Sequence, residues 1–289
     1  MMFNIVTPLA VFFACEIAER QFNLFPSKSI YHTVYGLVLV WLLLAIILHF
    51  MTTRRSEQTT PFAIAKLYNT RPVYPLRTDN ERLAACAEAL YLISETANPH
   101  PSISYINSLE QLDLNNVEDI KDARLLMSSA WNIDGDRALR KMLNKLITRA
   151  TSGANIPMAT IAGKERYIAF LQHQGLPFQD IDACPITGFD LVRASCLVRI
   201  GFSVGYIDEQ EARSFLNIVG ELIARQFTSW EQLTASYLVM YLEWNGGVKG
   251  PLGVLLSWFG PRNRILGARL LLEDDASPFR RASFQPYAS

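Results

Sequence analysis

The sequence has 289 residues, half of them hydrophobic, and its 27 basic and 27 acidic side chains give a formal net charge of zero. A surface that wraps nucleic acid needs an excess of positive charge, so this balance predicts that nucleic acid is not a partner. The four cysteines and four histidines are scattered, without the spacing of a disulfide framework or a zinc site. We therefore expect reduced thiols, no metal site and no cofactor.

An apolar segment near the N terminus is long enough to cross a bilayer. Residues 33–51, TVYGLVLVWLLLAIILHFM, carry no formal charge except on a protonated His49. At about 1.5 Å per residue, a helix of this length matches a hydrocarbon core of about 30 Å, which predicts a transmembrane helix. Residues 3–19 are shorter and interrupted by Pro8. They form either a first span, in a helical hairpin with the second, or a helix in the membrane interface.

The charges around residues 33–51 predict their orientation in the membrane. Two basic residues precede the span, Arg20 and Lys28, whereas five follow it closely: Arg54, Arg55, Lys66, Arg71 and Arg77. The positive-inside rule therefore places the C-terminal domain in the cytoplasm and makes the lipid bilayer an expected partner. The whole segment 1–51 is then a membrane anchor. Residues 52–79, rich in Thr, Pro and Arg, are predicted to be a juxtamembrane linker.

The remaining sequence has helical periodicity throughout, which predicts an all-α, multi-helix domain over residues 80–272 and a mobile tail over 273–289. The first predicted helix begins near residue 80 and ends at the break at 98–101. Three more are predicted over 117–129, over 134–148 with Asp134 as its cap, and over Lys164–His173. Three consecutive helices follow between residues 188 and 245.

The first of these three central helices, 188–204, carries the candidate site. Its apolar residues surround the cylinder, which is typical of a buried helix, yet Asp190, Arg193 and Arg199 lie on it. Asp190 and Arg193 are three residues apart and are predicted to pair. Arg199 points the opposite way, and because an unpaired buried guanidinium is costly it needs a carboxylate from another element. The candidates are Glu209, Glu211 and Glu221.

The other two central helices begin at predicted caps. Asp208 with Glu211 resembles an acidic capping box, and Ser229 with Gln232 repeats the device. The last helix places aromatic residues on one stripe, which either packs in the core or forms a groove for a partner's helix. The members of the stripe are Trp230, Leu233, Tyr237, Tyr241 and Trp244, of which Trp230 and Tyr237 are the candidates for partner contact.

Three strings in this region resemble one known family. FDLVRASCLVRIGFSVGYIDEQEA, followed by FTSWEQLTASYL and preceded by SSAWNIDGDRALRKMLNKL, is similar to the bacterial domain of unknown function DUF1266. The likeness covers about residues 125–244 and rests on the spacing D-x-x-R-x5-R-x-G-x3-G. It implies a bacterial protein with an all-α fold and no established activity. The sequence departs from the family pattern at Met240 and Tyr241, where the family has Gly-Arg, and the membrane anchor is not part of that domain.

Two interpretations of the charged residues remain open. Either they fasten the three helices together, or they form a buried pocket for an anionic ligand or a partner's side chain; the residues concerned are Asp190, Arg193, Arg199 and Glu211. The sequence has no HExxH, P-loop or GxGxxG motif and no Ser-His-Asp or Cys-His pattern. We therefore expect a protein-interaction module at the bacterial inner membrane, with an immunity-like or scaffolding role. The alternative is an enzyme or sensor for a small anion.

Overall fold

In the computed structural model the chain divides into two compact units, Met1–Thr59 and Thr60–Ser289. The structure describes residues 36–37, 40, 68–96, 105–176, 178, 181–245, 262–282 and 284.

In the first unit, the described residues Gly36, Leu37 and Val40 are helical, and the last two are exposed. The rest of the predicted span, 33–51, and all of residues 3–19 lie outside the described residues. Among the helices of the described ranges, none is both long and apolar enough to cross a membrane.

The regular elements of the described part of the second unit are helical, which confirms the predicted all-α fold. Two isolated bridges, Pro75 with Ser108 and Pro157 with Pro185, make up the β pairing described there. The helices are α1 (Asp79–Thr96), α2 (Val117–Trp131), α3 (Asp136–Gly153), a short 3-10 turn (Met158–Thr160), α4 (Lys164–His173), α5 (Gly188–Ser203), α6 (Glu209–Gln226), α7 (Trp230–Trp244), α8 (Arg262–Glu273) and α9 (Pro278–Arg281).

Helix α5 lies at the centre of this unit, with α1, α3, α6 and α7 packed around it. Fourteen of its 16 residues are buried, which confirms the prediction of a helix that is apolar on all sides. Glycines allow the close approach of its neighbours. A Cβ at Gly201 would lie 2.3 Å from Leu139 Cδ2 on α3, and one at Gly188 would lie 2.9 Å from Tyr237 N on α7. These small residues therefore set the spacing of the helices that carry the candidate site.

Both predicted caps of the central helices are confirmed. The Asp208 carboxylate accepts a hydrogen bond from Glu211 N at 2.8 Å, and the Ser229 hydroxyl accepts one from Gln232 N at 3.3 Å. Each bond satisfies a backbone N–H in the first turn that has no partner within its helix.

The start of α3 corrects a prediction. The sequence predicts a helix over 134–148 capped by Asp134, whereas α3 begins two residues later and has no side-chain cap. The cause lies at the end of α2, where Asn132 adopts the left-handed conformation (φ 55°) and its N–H closes the last turn. Ile133 then enters the core, so the chain uses these residues to turn rather than to begin a helix.

Parts of the predicted linker and tail belong to the fold. In the linker, Tyr68, Tyr74 and Leu76 pack against the hydrophobic core. In the predicted mobile tail, α9 buries Phe279, whose ring stacks on Trp230 with centroids 4.0 Å apart and planes 5° from parallel. Aromatic side chains therefore fix both segments to the helical core.

Candidate functional site

The predicted pair of Asp190 and Arg193 is confirmed at the first turn of α5. The Arg193 guanidinium donates to the Asp190 carboxylate. Arg149 of α3 approaches the same carboxylate, with 3.1 Å between Nε and Oδ2, and its side chain is 57% exposed. Two guanidinium groups thus share one carboxylate. By formal charge, the cluster of two arginines and one aspartate has an excess of one positive charge.

Two arginines and two pairs of aromatic side chains form a closed ring of contacts next to this cluster, with one aromatic pair on each side between the arginines. The Arg193 guanidinium lies 4.0 Å from the Phe189 ring centroid and 5.7 Å from that of Trp131. The Arg264 guanidinium lies 4.8 Å from the Tyr241 centroid and 4.6 Å from that of Tyr91. Ring contacts close the circle, at 6.0 Å between Phe189 and Tyr241 and at 6.4 Å between Tyr91 and Trp131. We call these six residues the aromatic–arginine ring.

The ring joins five helices, since its members come from α1, α2, α5, α7 and α8. Cation–π contacts contribute about 0.5–1 kcal/mol at exposed sites and about 2 kcal/mol where water is excluded. Arg264 also donates to the Tyr237 hydroxyl at 2.6 Å. The ring therefore holds its aromatic side chains in fixed positions.

Arg199 lies in a separate, fully buried site, and its predicted partners are wrong. Its Nη1 lies 2.7 Å from the Glu88 carboxylate on α1, and both side chains are 0% exposed. The remaining N–H groups donate to backbone carbonyls in the segment before α2, those of Tyr105, Ser108 and Glu110. Glu209, Glu211 and Glu221 are not its partners because Arg199 faces α1 and this segment.

The pKa of the buried Glu88 carboxylate is raised above its ordinary value. Burial raises its pKa, while the Arg199 charge and hydrogen bonds from Arg199 and Gln111 act in the opposite direction. The consequence is a carboxylate that takes up a proton readily once Arg199 is removed.

The three carboxylates predicted for Arg199 all have other partners. Glu211 receives two hydrogen bonds from Arg140 of α3, at 2.6 and 2.9 Å. Glu209 pairs with Arg77 and Arg213, and Glu221 pairs with Arg225. The four predicted charged residues therefore do not form one pocket. Asp190 and Arg193 lie together, whereas Arg199 and Glu211 each belong to a separate cluster.

Trp230 and Tyr237, the two aromatic residues predicted to contact a partner, are both buried. Trp230 is buried beneath Phe279 and donates from Nε1 to the Ala282 carbonyl at 3.2 Å. Tyr237 is 0% exposed. Among the described members of the stripe, it is Trp244 at the end of α7 that remains 66% exposed. Its ring lies 5.7 Å from that of Phe189, a member of the aromatic–arginine ring.

The described residues contain no group of three His, Cys, Asp or Glu side chains that could hold a metal ion. Three free thiols are buried in the described residues, those of Cys86, Cys184 and Cys196, and burial raises the pKa of the first two to about 12. Such groups stay protonated at physiological pH and are poor nucleophiles.

A family model described as a protein of unknown function (DUF1266) matches residues 126–284. This chain belongs to the DUF1266 family. The match confirms the resemblance recognised over residues 125–244 and extends it through α8 and α9. No curated protein and no solved structure is similar to the chain at a significant level.

The residues that carry the DUF1266 resemblance have distinct roles. Asp190 and Arg193 belong to the charged cluster beside the aromatic–arginine ring, whereas Arg199 fastens α5 to α1. Gly201 admits Leu139 of α3, and Gly205 adopts a positive φ of 79° just after α5 ends. The spacing of the motif therefore specifies helix packing on both sides of α5.

Sequence reasoning missed most members of the ring as site residues. Phe189 was detectable, because it precedes Arg193 by four residues and therefore lies on the same face of α5. Tyr91, Trp131 and Arg264 come from three other helices. No local pattern in the DUF1266 sequence marks their meeting, because only the tertiary fold brings them together.

Proposed function

We propose that this chain is a bacterial inner-membrane protein whose DUF1266 domain faces the cytoplasm and binds a protein partner. Its role is to scaffold a membrane assembly or to act as an immunity-like binding protein. The observation that carries this proposal is the exposure of Trp244, which packs against the aromatic–arginine ring. In addition, the buried charges of the described domain are paired within the chain.

The buried charged groups of the described domain have partners within the chain. Glu88 pairs with Arg199, Glu81 with Arg213 at 2.9 Å, and Lys164 with Asp182 at 2.5 Å. Asp190 is held by two arginines. A general acid or base must exchange a proton with its substrate, and carboxylates neutralised in this way are poorly suited to that task. The arrangement favours binding over catalysis.

Trp244 has the properties of an anchor for a protein interface. Tryptophan is enriched among the residues that dominate binding free energy at interfaces. Here its ring packs beside Phe189 and Tyr241, which are both buried. Because these neighbours are fixed in the core, Trp244 loses little conformational freedom when a partner covers it.

The membrane part of the proposal rests on the sequence. Residues 33–51 are long and apolar enough to cross a bilayer, and basic residues predominate on their C-terminal side. Leu37 and Val40 are apolar, helical and exposed, as expected of side chains that lipid would cover. Extraction of membranes at alkaline pH tests this part. The full-length chain should stay in the pellet, and deletion of residues 33–51 should release it.

Site-specific photo-crosslinking in cells tests the interaction. A photoreactive phenylalanine analogue replaces Trp244 in the full-length chain, and a matched variant carries it at Leu125 of α2, which is 67% exposed. We expect a discrete protein adduct from position 244 and none from position 125. Trp244→Ala should abolish co-purification of the crosslinked protein, whereas Leu125→Ala should retain it. Equal adducts from both positions, or none from position 244, would contradict the proposal.

A sensor for a small anion is a second candidate, favoured by the excess positive charge of the cluster of Arg149, Asp190 and Arg193. Thermal unfolding with added inorganic phosphate tests it. A midpoint that rises with phosphate in the wild type but not in Arg149→Gln would support this function. Equal shifts in both proteins would point to a general salt effect.

A further inference from the structure

Helix α3 presents a row of cationic side chains to solvent. Arg137, Lys141, Lys145 and Arg149 follow one another at four-residue spacing, so they lie along one face, and all four are exposed. We call these four residues the basic row. At about 1.5 Å per residue, the row extends over about 18 Å.

The charge of the basic row is poorly compensated by the chain. Of the 18 residues of α3, five are cationic and one, Asp136, is acidic, and Asp136 pairs with Arg140 outside the row. In the part of the chain that the structure describes, the cationic side-chain groups of Arg137, Lys141 and Lys145 have no carboxylate oxygen within 4.0 Å. Of the carboxylates on neighbouring helices, Glu211 of α6 pairs with Arg140, and Asp190 of α5 is shared by Arg193 and by Arg149, the fourth member of the row.

The opposite face of α3 fixes the direction of the row. Leu139, Leu143 and Leu146 are buried in the core. The helix therefore cannot turn its cations inward without exposing these leucines. The exposed positions between the cations are polar, as at Asn144 and Thr148. A protein interface normally contains a buried apolar or aromatic centre, which this face lacks, whereas lipid headgroups need only positive charge.

We propose that the basic row docks on the anionic lipid headgroups of the membrane in which the chain is anchored. This inference rests on the proposed membrane anchor. The 16 residues 52–67 separate the predicted span from the first described residue of the domain. A chain of that length can extend over at most about 55 Å, so the tether keeps the domain within reach of the headgroups. Docking turns the DUF1266 domain so that α3 faces the bilayer, while Trp244 is carried on a different helix.

Energy transfer in lipid nanodiscs tests the docking. The full-length chain, with Cys15→Ser and Asn144→Cys, carries a donor fluorophore at position 144, between Lys141 and Lys145; the other cysteines, Cys86, Cys184 and Cys196, are buried. The acceptor is attached to lipid headgroups. Nanodiscs contain phosphatidylcholine alone or phosphatidylcholine with phosphatidylglycerol. We expect higher transfer with phosphatidylglycerol, and a loss of this difference at high salt, because salt screens charges at a surface.

Charge variants identify the residues responsible. Lys141→Gln with Lys145→Gln should lower the ratio of docked to undocked domain about thirtyfold, since each cation near an anionic surface contributes about fivefold. The matched control, Lys121→Gln with Arg166→Gln, removes two exposed cations from α2 and α4. It should leave the transfer unchanged. Circular dichroism verifies that both variants are folded.

Three outcomes would overturn the inference while leaving the proposed anchor intact. Equal transfer in neutral and anionic nanodiscs excludes docking on anionic lipid, and an equal loss in the control excludes the basic row as its site. If lipid composition has no effect but the row variant loses a co-purified acidic protein, the row binds protein instead. In each case the anchor stands as long as the chain remains in the nanodiscs. A chain that fails to remain there refutes the anchor and, with it, the docking.

Discussion

Arg199 joins three parts of the chain through one buried guanidinium. It pairs with Glu88 of α1 and donates to backbone carbonyls before α2, while it belongs to α5 itself. Removal of one member of such a pair leaves an uncompensated buried charge, at a cost of about 3–5 kcal/mol. Removal of both members avoids this cost, although the carbonyls that Arg199 satisfied lose their donor.

We predict that the pair behaves non-additively in a double-mutant cycle. Glu88→Leu should be the more destabilising single change, because arginine cannot lose its proton in a protein, whereas Glu88 can take one up when Arg199→Met removes its partner. The double variant should lose less stability than the sum of the two single losses. Urea denaturation of the full-length chain in detergent measures all four proteins. Additive losses would mean that the two charges do not depend on each other.

The same pair predicts a pH dependence in Arg199→Met. Burial raises the pKa of Glu88 above its ordinary value of 4.5, and the loss of Arg199 removes the main opposing effect. The folded state then binds this proton more tightly than the unfolded state does. The contribution of Glu88 to stability is therefore fully present below pH 4.5 and is lost as the pH rises through the raised pKa. Unfolding free energies measured against pH, relative to the double variant, should fall in that direction. A flat difference would show that the pKa of Glu88 is the same in the folded and the unfolded state.

At the scale of the elements, the sequence predicts what local periodicity determines. The bounds of α4 and the caps of α6 and α7 follow from spacing within a few residues. The pair of Asp190 and Arg193 is local in the same sense, since both lie on one face of α5. By contrast, Glu88 lies 111 residues before Arg199. Within α1 it stands among apolar neighbours, and no pattern there connects it to α5.

The packing of α1 against α6 gives a prediction for Gly220. A Cβ at this position would lie 2.1 Å from the Asn80 carbonyl oxygen, which belongs to backbone and cannot rotate away. Gly220→Ala should therefore destabilise the domain by about 3 kcal/mol, as overpacking does, even though alanine favours the helix by about 1 kcal/mol. The midpoint of thermal unfolding measures the effect.

A second glycine provides the control for this change. Gly135 has an extended φ of 176°, and nothing lies within 4 Å of a Cβ placed there. Gly135→Ala should change the stability by less than about 1 kcal/mol. A stabilising Gly220→Ala, or equal losses at both positions, would show that α1 and α6 can separate at little cost.

At the scale of the whole molecule, a net charge of zero conceals an uneven distribution. Five cations lie on α3. Acidic residues gather around the start of α2, where burial and the carboxylates of Asp122, Asp113 and Glu118 raise the pKa of Asp119. In the net charge of the whole chain, the positive and negative charges of these regions cancel. The composition therefore predicts no electrostatic partner. The basic row becomes visible only when the exposed face of a single helix is considered by itself.

The extent of the folding unit gives the last prediction. The family match begins at residue 126, but α1 precedes it and packs on α5, α6 and α8. α1 also supplies Glu88 and Glu81, the buried partners of Arg199 and Arg213. A chain that begins at residue 126 lacks these carboxylates and exposes the apolar surface that α1 covers. It should not unfold cooperatively, whereas a chain over Thr60–Ser289, which forms one compact unit, should.

Circular dichroism during heating distinguishes the two fragments. Addition of a separate fragment over residues 68–125 should restore a cooperative transition to the shorter chain, because it returns α1 and the backbone carbonyls around Ser108 that Arg199 requires. The same fragment with Glu81→Leu and Glu88→Leu should fail, since it would leave Arg199 and Arg213 without their carboxylates in the core. If the shorter chain melts cooperatively by itself, α1 is not required for folding, and α3 with α5–α8 is sufficient to form the core. If only the longer chain does so, the folding unit of this protein begins well before the segment that its family match covers.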